Sequence, residues 1–584
     1  MNDQFSFITF LKTLIKKRRW SYIGGIISVI ILDAVDMLPA LIIKEITDNV
    51  QKNPQEFDVI PYSVALVICY FIISLLRLSW RFFLMIPSRH IEQELRQDAY
   101  DKLLNSNFIH TSHLKTGDVV STLSQDLSNI RMFMGPGILV FFDSLAYIIF
   151  IPATLFYILG TQALWVLLPF TLLMLVVAIV HRPFEKGFNA ISDQLGDLSQ
   201  YVYEETQGVR FFRAEGLVQI RRKKYDILLN SLLGKQLGVA KWELGLDGTL
   251  QIVLQASYFA VLVLAWQGEG AMAQGLGALT VSLQLLDKLT WPLMSIGYLM
   301  NLFGQARTGA KKIHAINTLP EKKMGETKIS NKIEIIELKD LSVYSLQGIT
   351  LLENINLTLK KGEHVALVGS VGSGKTVLLQ ALAGLWEPDQ LKYQEFSIAG
   401  IDYKKLDRRS YHENISFIPQ TSQIFSKTLG MNISPVRPLR QQLLWDALDK
   451  ADLLVDVKRF PEGLSTEIGE KGINLSGGQK QRTLIARSFH SHANIYLWDD
   501  AISALDPMTE KKIINTLKTI DPDAILILAT HRLSSLKDFD RIVVMDKGCI
   551  TKIGRFADIK KDHALFATLL SDEKEEEKKA KAHE

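Results

Sequence analysis

Cysteine and excess charge are both scarce in this chain. Only two of its 584 residues are cysteines, Cys69 and Cys549, and they lie in opposite halves of the sequence. So sparse a set excludes the disulfide framework of a small secreted protein and a cysteine-ligated zinc site, and we expect two unpaired thiols. The net charge is only +4, which gives no argument for nucleic acid as a partner.

The first half of the sequence contains long apolar runs. Six runs each reach the ~20 residues that a helix needs to cross the hydrocarbon core of a membrane. They cover approximately residues 22–43, 60–86, 138–159, 164–180, 250–266 and 279–303. We therefore predict an α-helical transmembrane domain of six spans over residues 1–317.

Lysine and arginine are concentrated before the first run and in two long connections, which follow the second and the fourth runs. Because such residues favour the cytoplasmic side, we predict that both connections form a cytoplasmic helical stalk and that both chain termini are cytoplasmic. The basic residues 16–19 precede an apolar run without a small-residue cleavage site, so we expect no cleaved signal peptide.

The second half has the composition of a soluble protein. Residues 318–332 are polar and contain Pro320 and Gly325, which is typical of a linker. The last residues, 571–584, are mostly Asp, Glu, Lys and Ala, and we expect this charged tail to be disordered. Between them, residues 333–570 predict a nucleotide-binding α/β domain with a helical subdomain.

A phosphate-binding loop lies in this domain. The aliphatic strand 365–368 precedes it and a helical run, residues 377–385, follows it, which is the context that the motif requires. The loop consists of Gly369, Ser370, Val371, Gly372, Ser373, Gly374, Lys375 and Thr376. Its glycines let backbone N–H groups surround phosphates, Lys375 neutralises phosphate charge, and the Thr376 hydroxyl ligates Mg²⁺. The loop predicts ATP and Mg²⁺ as cofactors.

Two further motifs follow the phosphate loop. The octapeptide 475–482 opens a predicted helix, where exposed N–H groups favour an anion. Its candidate ligands are Ser476, Gly477, Gly478 and Gln479. The aliphatic strand 495–498 then ends in Asp499 and Asp500. A phosphate loop, an LSGGQ signature and an acidic strand in this order resemble the ATP-binding cassette (ABC) ATPases, and the chain as a whole resembles an ABC transporter.

The resemblance gives roles to the two aspartates. Asp499 stands where the family holds Mg²⁺, usually through water. Asp500 stands where the family normally has a glutamate, the base that orients the attacking water. An aspartate is one methylene shorter, and general-base geometry tolerates little displacement. We therefore expect hydrolysis at this chain's own site to be slow.

Four more residues match the family in order. Gln420 resembles the Q-loop glutamine that touches Mg²⁺, and His531 resembles the switch histidine that contacts the γ-phosphate. Asp506 belongs to a segment, residues 503–506, that resembles the D-loop. Tyr344 stands where the family stacks an aromatic ring on adenine. With Lys375 and Asp500, His531 completes the expected catalytic set.

The resemblance also implies an assembly. Cassettes of this family pack head to tail, so that each nucleotide lies between one phosphate loop and the partner's LSGGQ. One membrane domain fused to one cassette resembles a half-transporter of the type IV exporters, whose partner is a second half-transporter. The segments 38–39, 134–139, 291–293 and 499–501 resemble the Asp-bearing subunit of bacterial heterodimeric multidrug exporters. Some subunits with a degenerate site also lack the switch histidine, but this chain retains His531. A homodimer with two slow sites is therefore an alternative.

Several charged residues fall inside the apolar runs. The acids are Asp33, Asp36, Asp143 and Asp287, and the bases are Arg77, Arg81 and Lys288. Charges inside a membrane are costly and usually face the interior of the helix bundle. Either the acids favour cationic substrates or couple protons, or they pair with the three bases and fix helix packing.

These patterns together predict ATP-driven efflux of multidrug or amphipathic substrates across the bacterial inner membrane, with lipids around the chain. Two alternatives remain, a homodimeric lipid or peptide exporter and a catalytically impaired, regulatory subunit of a heterodimer. The apolar runs exclude a soluble ABC ATPase of the DNA-repair kind. The sequence does not name the substrate.

Overall fold

The structure is a computed structural model of the full chain. It describes residues 5–562 apart from 53–56, 108–109, 112–113, 268–275, 323–324, 330–331, 422, 436–439, 470–471, 473 and 533–535. The predicted disordered tail, residues 571–584, lies outside the described residues. The chain divides into two compact units, one of residues 1–102 and 115–318 and one of residues 103–114 and 319–584.

In the described residues of the first unit, all the regular secondary structure is helical. Its α-helices are α1 (Phe7–Lys17), α2 (Arg19–Val35), α3 (Leu38–Lys52), α4 (Ile60–Trp80), α5 (Ile86–Asn105), α6 (Thr116–Ser121), α7 (Leu127–Met132), α8 (Ile138–Leu159), α9 (Ala163–Ala214), α10 (Val218–Gln267) and α11 (Leu276–Asn317). Five-residue π-helical turns at Arg81–Met85, Thr122–Asp126 and Phe133–Gly137 join some of them. Helices α9 and α10 confirm that the second long connection is helical, and α5, α6 and α7 lie in the first.

Four stretches are long and apolar enough to cross a membrane, counted over the residues that the structure describes. They are Arg19–Lys52, Ile60–Asn105, Thr116–Thr171 and Val218–Gln267. These contain the first, second, third and fifth predicted spans and the start of the fourth. The predicted sixth span lies in α11, which is not among the four. The membrane region is therefore helical and apolar, while the count of six stays a prediction.

The first predicted span is not one continuous helix. Helix α2 ends at Val35, and α3 begins at Leu38. Pro39 explains the break, because it lacks an N–H and its ring would clash with the carbonyl four residues earlier, that of Val35. Asp36 lies at the break as the C-cap of α2, where its N–H donates to Leu32 O at 2.8 Å.

The second unit contains two sheets. Its strands are β1 (Ile335–Tyr344), β2 (Thr350–Lys360), β3 (His364–Gly369), β4 (Leu391–Lys392), β5 (Glu395–Ile398), β6 (Ile401–Asp402), β7 (Ile415–Ile418), β8 (Ile495–Asp499), β9 (Ile525–Ala529), β10 (Arg541–Asp546) and β11 (Cys549–Gly554). One sheet is antiparallel, in the order β2-β1-β5-β6, with β4 paired to β1. The other has the order β11-β10-β3-β9-β8-β7, and only β11 is antiparallel.

The mostly parallel sheet is buried on both faces, which explains its uninterrupted apolar strands. In β8, Ile495 and Leu497 belong to the core shared with the antiparallel sheet, whereas Tyr496 and Trp498 belong to the core on the opposite face. The helices of this unit are α12 (Lys375–Leu382), α13 (Arg408–His412), α14 (Leu429–Ile433), α15 (Gln441–Lys450), α16 (Leu454–Arg459), α17 (Gly477–His490), α18 (Pro507–Ile520) and α19 (Phe556–Asp562).

Candidate nucleotide site

The phosphate loop has the strand–loop–helix form that the sequence predicts. Strand β3 ends at Gly369, and α12 begins at Lys375. Gly372 and Gly374 have φ angles of 80° and 100°, a backbone region that only glycine enters at little cost. A Cβ atom on Gly374 would also lie 2.6 Å from Cδ2 of Leu352. Both glycines are therefore required by the backbone itself.

A cavity of about 240 Å³ opens at the carboxyl edge of the parallel sheet, where the ends of β3, β8 and β9 lie side by side. Its lining consists of Val371, Gly372, Ser373, Gly374, Lys375, Thr376, Val377, Gln420, Asp499, Asp500, Ala529 and His531. Ligands of parallel α/β sheets bind at this edge. The structure thus brings together most of the predicted phosphate, magnesium and catalytic residues.

Lys375 lies inside the loop, with 8% of its surface exposed. Its Nζ donates to the carbonyl oxygens of Gly369 at 2.9 Å and Ser370 at 3.0 Å and to Oγ of Ser373 at 3.3 Å. Burial lowers the pKa of Lys375, and the nearby Asp499 and Asp500 oppose that shift. Because the loop carbonyls are replaceable acceptors, the ammonium is available for phosphate.

Asp499 offers an oxygen that lacks a partner. The residue is 3% exposed, and in the described part of the chain its Oδ2 accepts no hydrogen bond. Burial raises the pKa of Asp499, whereas a hydrogen bond from the Thr376 hydroxyl lowers it. A buried carboxylate oxygen beside a hydroxyl is a donor set that Mg²⁺ prefers. Among the described residues no group of three or more His, Cys, Asp or Glu side chains is placed to hold a metal ion, so phosphate and water would supply the other ligands.

Asp500 and His531 line the same cavity. Asp500 has a φ of 54°, a left-handed conformation in which aspartate is commoner than most residues. Its backbone N–H donates to Ala529 O at 2.9 Å, which ties the end of β8 to the end of β9. Burial lowers the pKa of His531, and the charge of Lys375 lowers it further. The imidazole is therefore neutral at physiological pH and can act as a hydrogen-bond donor or acceptor.

The LSGGQ signature caps its own helix. Ser476 is the N-cap of α17: its Oγ accepts from Gln479 N at 3.3 Å, and Gln479 Oε1 accepts from Ser476 N at 3.0 Å. Gln479 also donates to Asp456 at 2.9 Å. None of the four predicted signature ligands, Ser476 to Gln479, lines the cavity of this chain. This arrangement agrees with a signature that serves a second cassette.

Gln481 and Arg532 have roles that the sequence analysis missed. Gln481 Nε2 donates to Ser503 Oγ at 2.9 Å, and its Oε1 accepts from Ala504 N at 2.7 Å. Arg532 donates to the carbonyls of Leu505 and Ser503 at 2.5 and 2.6 Å. The segment 503–506 is therefore held by Gln481 of the signature helix and by Arg532, which follows His531. The only sequence signals were that Gln481 lies inside the octapeptide 475–482 and that Arg532 follows His531.

Two predicted ligands lie elsewhere. Tyr344 ends β1 and lines a separate cavity of about 660 Å³, together with residues of β2 and of the segment 392–394. Asp506 is the N-cap of α18, where its Oδ1 accepts from Met508 N at 3.1 Å and Thr509 N at 3.0 Å. The hydrogen bonds from Thr509 lower the pKa of Asp506. Asp506 thus caps α18, and the nucleotide role of Asp506 and the adenine role of Tyr344 both stay predictions.

Comparison with known proteins agrees with this geometry. A family model described as the ABC transporter transmembrane region matches residues 22–293, and a second, described as ABC transporter, matches residues 352–503. The chain is 28% identical over 561 residues to "Multidrug resistance-like ATP-binding protein MdlA" of Buchnera aphidicola subsp. Baizongia pistaciae, covering 93% of this chain and 96% of that protein. It is 27% identical to the protein of the same name from Escherichia coli, covering 92% of each chain.

A solved structure described as a bacterial Atm1-family ABC exporter with ATP bound has the same fold. The TM-score is 0.78 at 18% identity, and the alignment covers 95% of this chain and 98% of the other. The two family models together match more than half of the chain, in the order membrane region and then ATPase. This chain therefore belongs to the ABC transporter family, as an exporter-type half with a membrane region fused to an ABC ATPase domain.

Proposed function

We propose that the chain is one half of an ATP-driven exporter in a bacterial inner membrane and that it works as a dimer on hydrophobic or amphipathic substrates. The observation that carries this proposal is the partnerless Oδ2 of Asp499 beside the Thr376 hydroxyl, inside a cavity that Lys375 also lines. This combination fits a magnesium nucleotide. The same chain contains apolar helices long enough to cross a membrane. In this proposal these helices form the transport pathway that ATP drives.

Each residue of the cavity has one task in this proposal. Asp499 and the Thr376 hydroxyl would hold Mg²⁺, with Gln420 beside it in the cavity lining, and the bound ion would neutralise phosphate charge. Lys375 exchanges its loop carbonyls for phosphate oxygens. Asp500 orients the attacking water. These groups lower the barrier by positioning and by fixed charge, which are the main sources of catalysis in phosphoryl transfer.

A neutral His531 accompanies them at the γ-phosphate. Its position next to Arg532, which holds residues 503–505 through their carbonyls, links the cavity to the D-loop segment. Tyr344 is proposed to reach the adenine ring only in a nucleotide-bound state. The signature residues Ser476 to Gln479 serve the nucleotide on the partner's phosphate loop, which explains their distance from this chain's own cavity.

The first experiment measures hydrolysis. The chain, purified and reconstituted in lipid nanodiscs, is assayed for ATP-dependent phosphate release. We expect Lys375→Ala to abolish it and Lys404→Ala, a lysine of the same unit outside the cavity, to preserve it. Uptake of a fluorescent amphipathic cation into inside-out vesicles should require the same lysine. Hydrolysis that survives Lys375→Ala would refute the assignment of the cavity.

The second experiment addresses the partner. We propose a heterodimer in which Asp500 makes this chain's own site slow while its signature completes a competent site on a glutamate-bearing half-transporter. The purified chain alone should then hydrolyse ATP slowly, and adding such a partner should raise turnover. Asp500→Glu in the chain alone should also raise it, whereas Asp500→Asn should not. A fast homodimer that gains nothing from Asp500→Glu would contradict this arrangement.

The membrane topology belongs to the same proposal. Six spans, with both termini and both long helical connections in the cytoplasm, place the ATPase where ATP is, and the basic residues of the connections support this orientation. Proteolysis of inside-out vesicles should cleave the α9–α10 connection at its basic segment 221–224. Cleavage in right-side-out vesicles instead would contradict the topology.

A further inference from the structure

A cluster of ionisable side chains lies in the helical unit, which does not contain the nucleotide site. Asp33 comes from α2, Asp36 from the break that follows α2, Asp143 from α8 and Lys288 from α11. We call these four residues the acidic cluster. It contains three carboxyl groups and one ammonium group, so it has an excess of negative charge unless a proton or another cation is added.

Two of the carboxyl groups have donors. Lys288 Nζ forms an ion pair with the Asp36 carboxylate and donates to the Asp36 carbonyl at 2.9 Å, and Tyr147 Oη donates to Asp36 Oδ2 at 3.1 Å. Trp291 Nε1 donates to Asp143 Oδ2 at 3.0 Å. The interpretation that the acids pair with bases is thus right for Asp36 and Lys288. No ion pair joins Arg77 or Arg81 to these acids in the described residues, and both arginines are exposed.

Asp33 has no donor. It is completely buried, with 0% of its surface exposed, and neither of its carboxyl oxygens has a hydrogen-bond partner among the described residues. The group within hydrogen-bonding reach is another carboxyl, that of Asp143. The charged groups that act on Asp33 are Asp143, Asp36 and Lys288. Because Lys288 is engaged by Asp36, nothing in the cluster compensates an ionised Asp33.

A buried carboxylate without a donor or counter-ion costs several kcal/mol. A proton removes this cost, because a protonated Asp33 is neutral and its O–H can donate to the Asp143 carboxylate. Two adjacent carboxyl groups that share one proton are a known solution to this problem. Asp33 itself is fully buried, whereas Asp143 is only half-buried and gives the proton a path for exchange.

We propose that Asp33 and Asp143 form a binding site for one exchangeable proton within the membrane unit. At neutral pH the proton resides on Asp33, and the resulting O–H group donates a hydrogen bond to the Asp143 carboxylate. Its loss leaves two adjacent carboxylates beside an ammonium that already belongs to Asp36. The helices α2 and α8, which carry these two carboxylates, then repel one another locally. The membrane unit therefore carries a charge that depends on pH, independently of ATP.

The test is infrared difference spectroscopy on the full chain in nanodiscs, which detects the carbonyl stretch of a protonated carboxyl group. The wild type should show such a band at neutral pH, the band should shift in D₂O because the proton exchanges, and it should disappear as the pH is raised. Asp33→Asn, which keeps the shape of the side chain, should remove the band. Asp143→Asn should shift its frequency, because the acceptor of the hydrogen bond changes.

Asp287→Asn is the matched control. Asp287 lies next to Lys288 on α11 but is exposed and accepts instead from Tyr258 Oη at 3.3 Å, so the band should be unchanged. ATP hydrolysis measured on the same samples shows that each variant is folded. A wild-type spectrum without the band, or a band that persists in Asp33→Asn, would overturn the proposal whether or not the chain proves to be an exporter.

Discussion

Removal of the Arg532 side chain tests how the segment 503–506 is held. The guanidinium makes three hydrogen bonds, to Leu505 O at 2.5 Å, Ser503 O at 2.6 Å and Glu510 Oε2 at 3.0 Å. Glu510 is 2% exposed. Arg532→Ala therefore removes the counter-ion of a buried carboxylate, a change that typically costs about 3–5 kcal/mol.

The assay is hydrogen exchange followed by mass spectrometry on the full chain in nanodiscs. Since every 1.4 kcal/mol corresponds to a factor of ten, a loss of about 3 kcal/mol should accelerate exchange in peptides covering residues 501–510 by at least about a hundredfold. ATP turnover should fall with it, because the segment adjoins both Asp500 and the signature helix. Peptides from α8, in the other unit, should be unaffected.

The matched variants separate charge from geometry. Adding Glu510→Gln to Arg532→Ala removes the buried charge and should recover part of the lost protection, because an uncompensated amide costs less than an uncompensated carboxylate. Arg532→Lys should keep the pair with Glu510 but lose the carbonyl contacts. Unchanged exchange in Arg532→Ala, or no recovery on adding Glu510→Gln, would refute the reasoning.

Three further predictions concern packing, metal binding and the helix break. Gly25→Ala would place a Cβ atom 2.6 Å from Cδ2 of the fully buried Leu84 and should lower thermal stability by about 1–3 kcal/mol. Gly24→Ala is the control, because the nearest atom to its Cβ would lie at an ordinary 3.5 Å, and it should not lower stability. Burial raises the pKa of Asp499, so protons compete with Mg²⁺ for this carboxylate at a higher pH than they would at an ordinary aspartate. The Mg²⁺-dependent gain in ATP affinity should therefore weaken as the pH falls, which titration calorimetry measures. If Pro39 causes the break, Pro39→Ala should increase helicity and slow hydrogen exchange around residues 35–39; unchanged exchange would contradict that cause.

Much of the nucleotide site could be predicted because its chemistry lies in short contiguous segments. The phosphate loop, the acidic strand end and His531 each follow a strand of the parallel sheet, and neighbouring strands bring these ends to one edge. Each sequence motif determines its local backbone, and the order of the strands in the sheet brings the motifs together. The break before Pro39 was also visible in the sequence, but the apolar run around it favoured one continuous span.

Other features depended on contacts between distant residues. Asp36 and Lys288 lie 252 residues apart, and the sequence offered three bases for four acids without ranking them. Arg532 could not be assigned to Ser503, Leu505 and Glu510, because each pairing depends on where the ends of two strands and one helix meet. The position of Tyr344 outside the phosphate cavity depends likewise on the packing of the antiparallel sheet.

The sequence by itself determined that this is a membrane-fused ABC ATPase with a complete signature and an aspartate in place of the usual catalytic glutamate, because those properties belong to covalently adjacent residues. Only the tertiary structure decided that Asp499 keeps a free oxygen in the cavity, that Gln481 and Arg532 hold the segment 503–506, and that Asp33 is buried against Asp143 without a donor. Burial and the pairing of charges are properties of packed helices and strands, and no local sequence pattern specifies them.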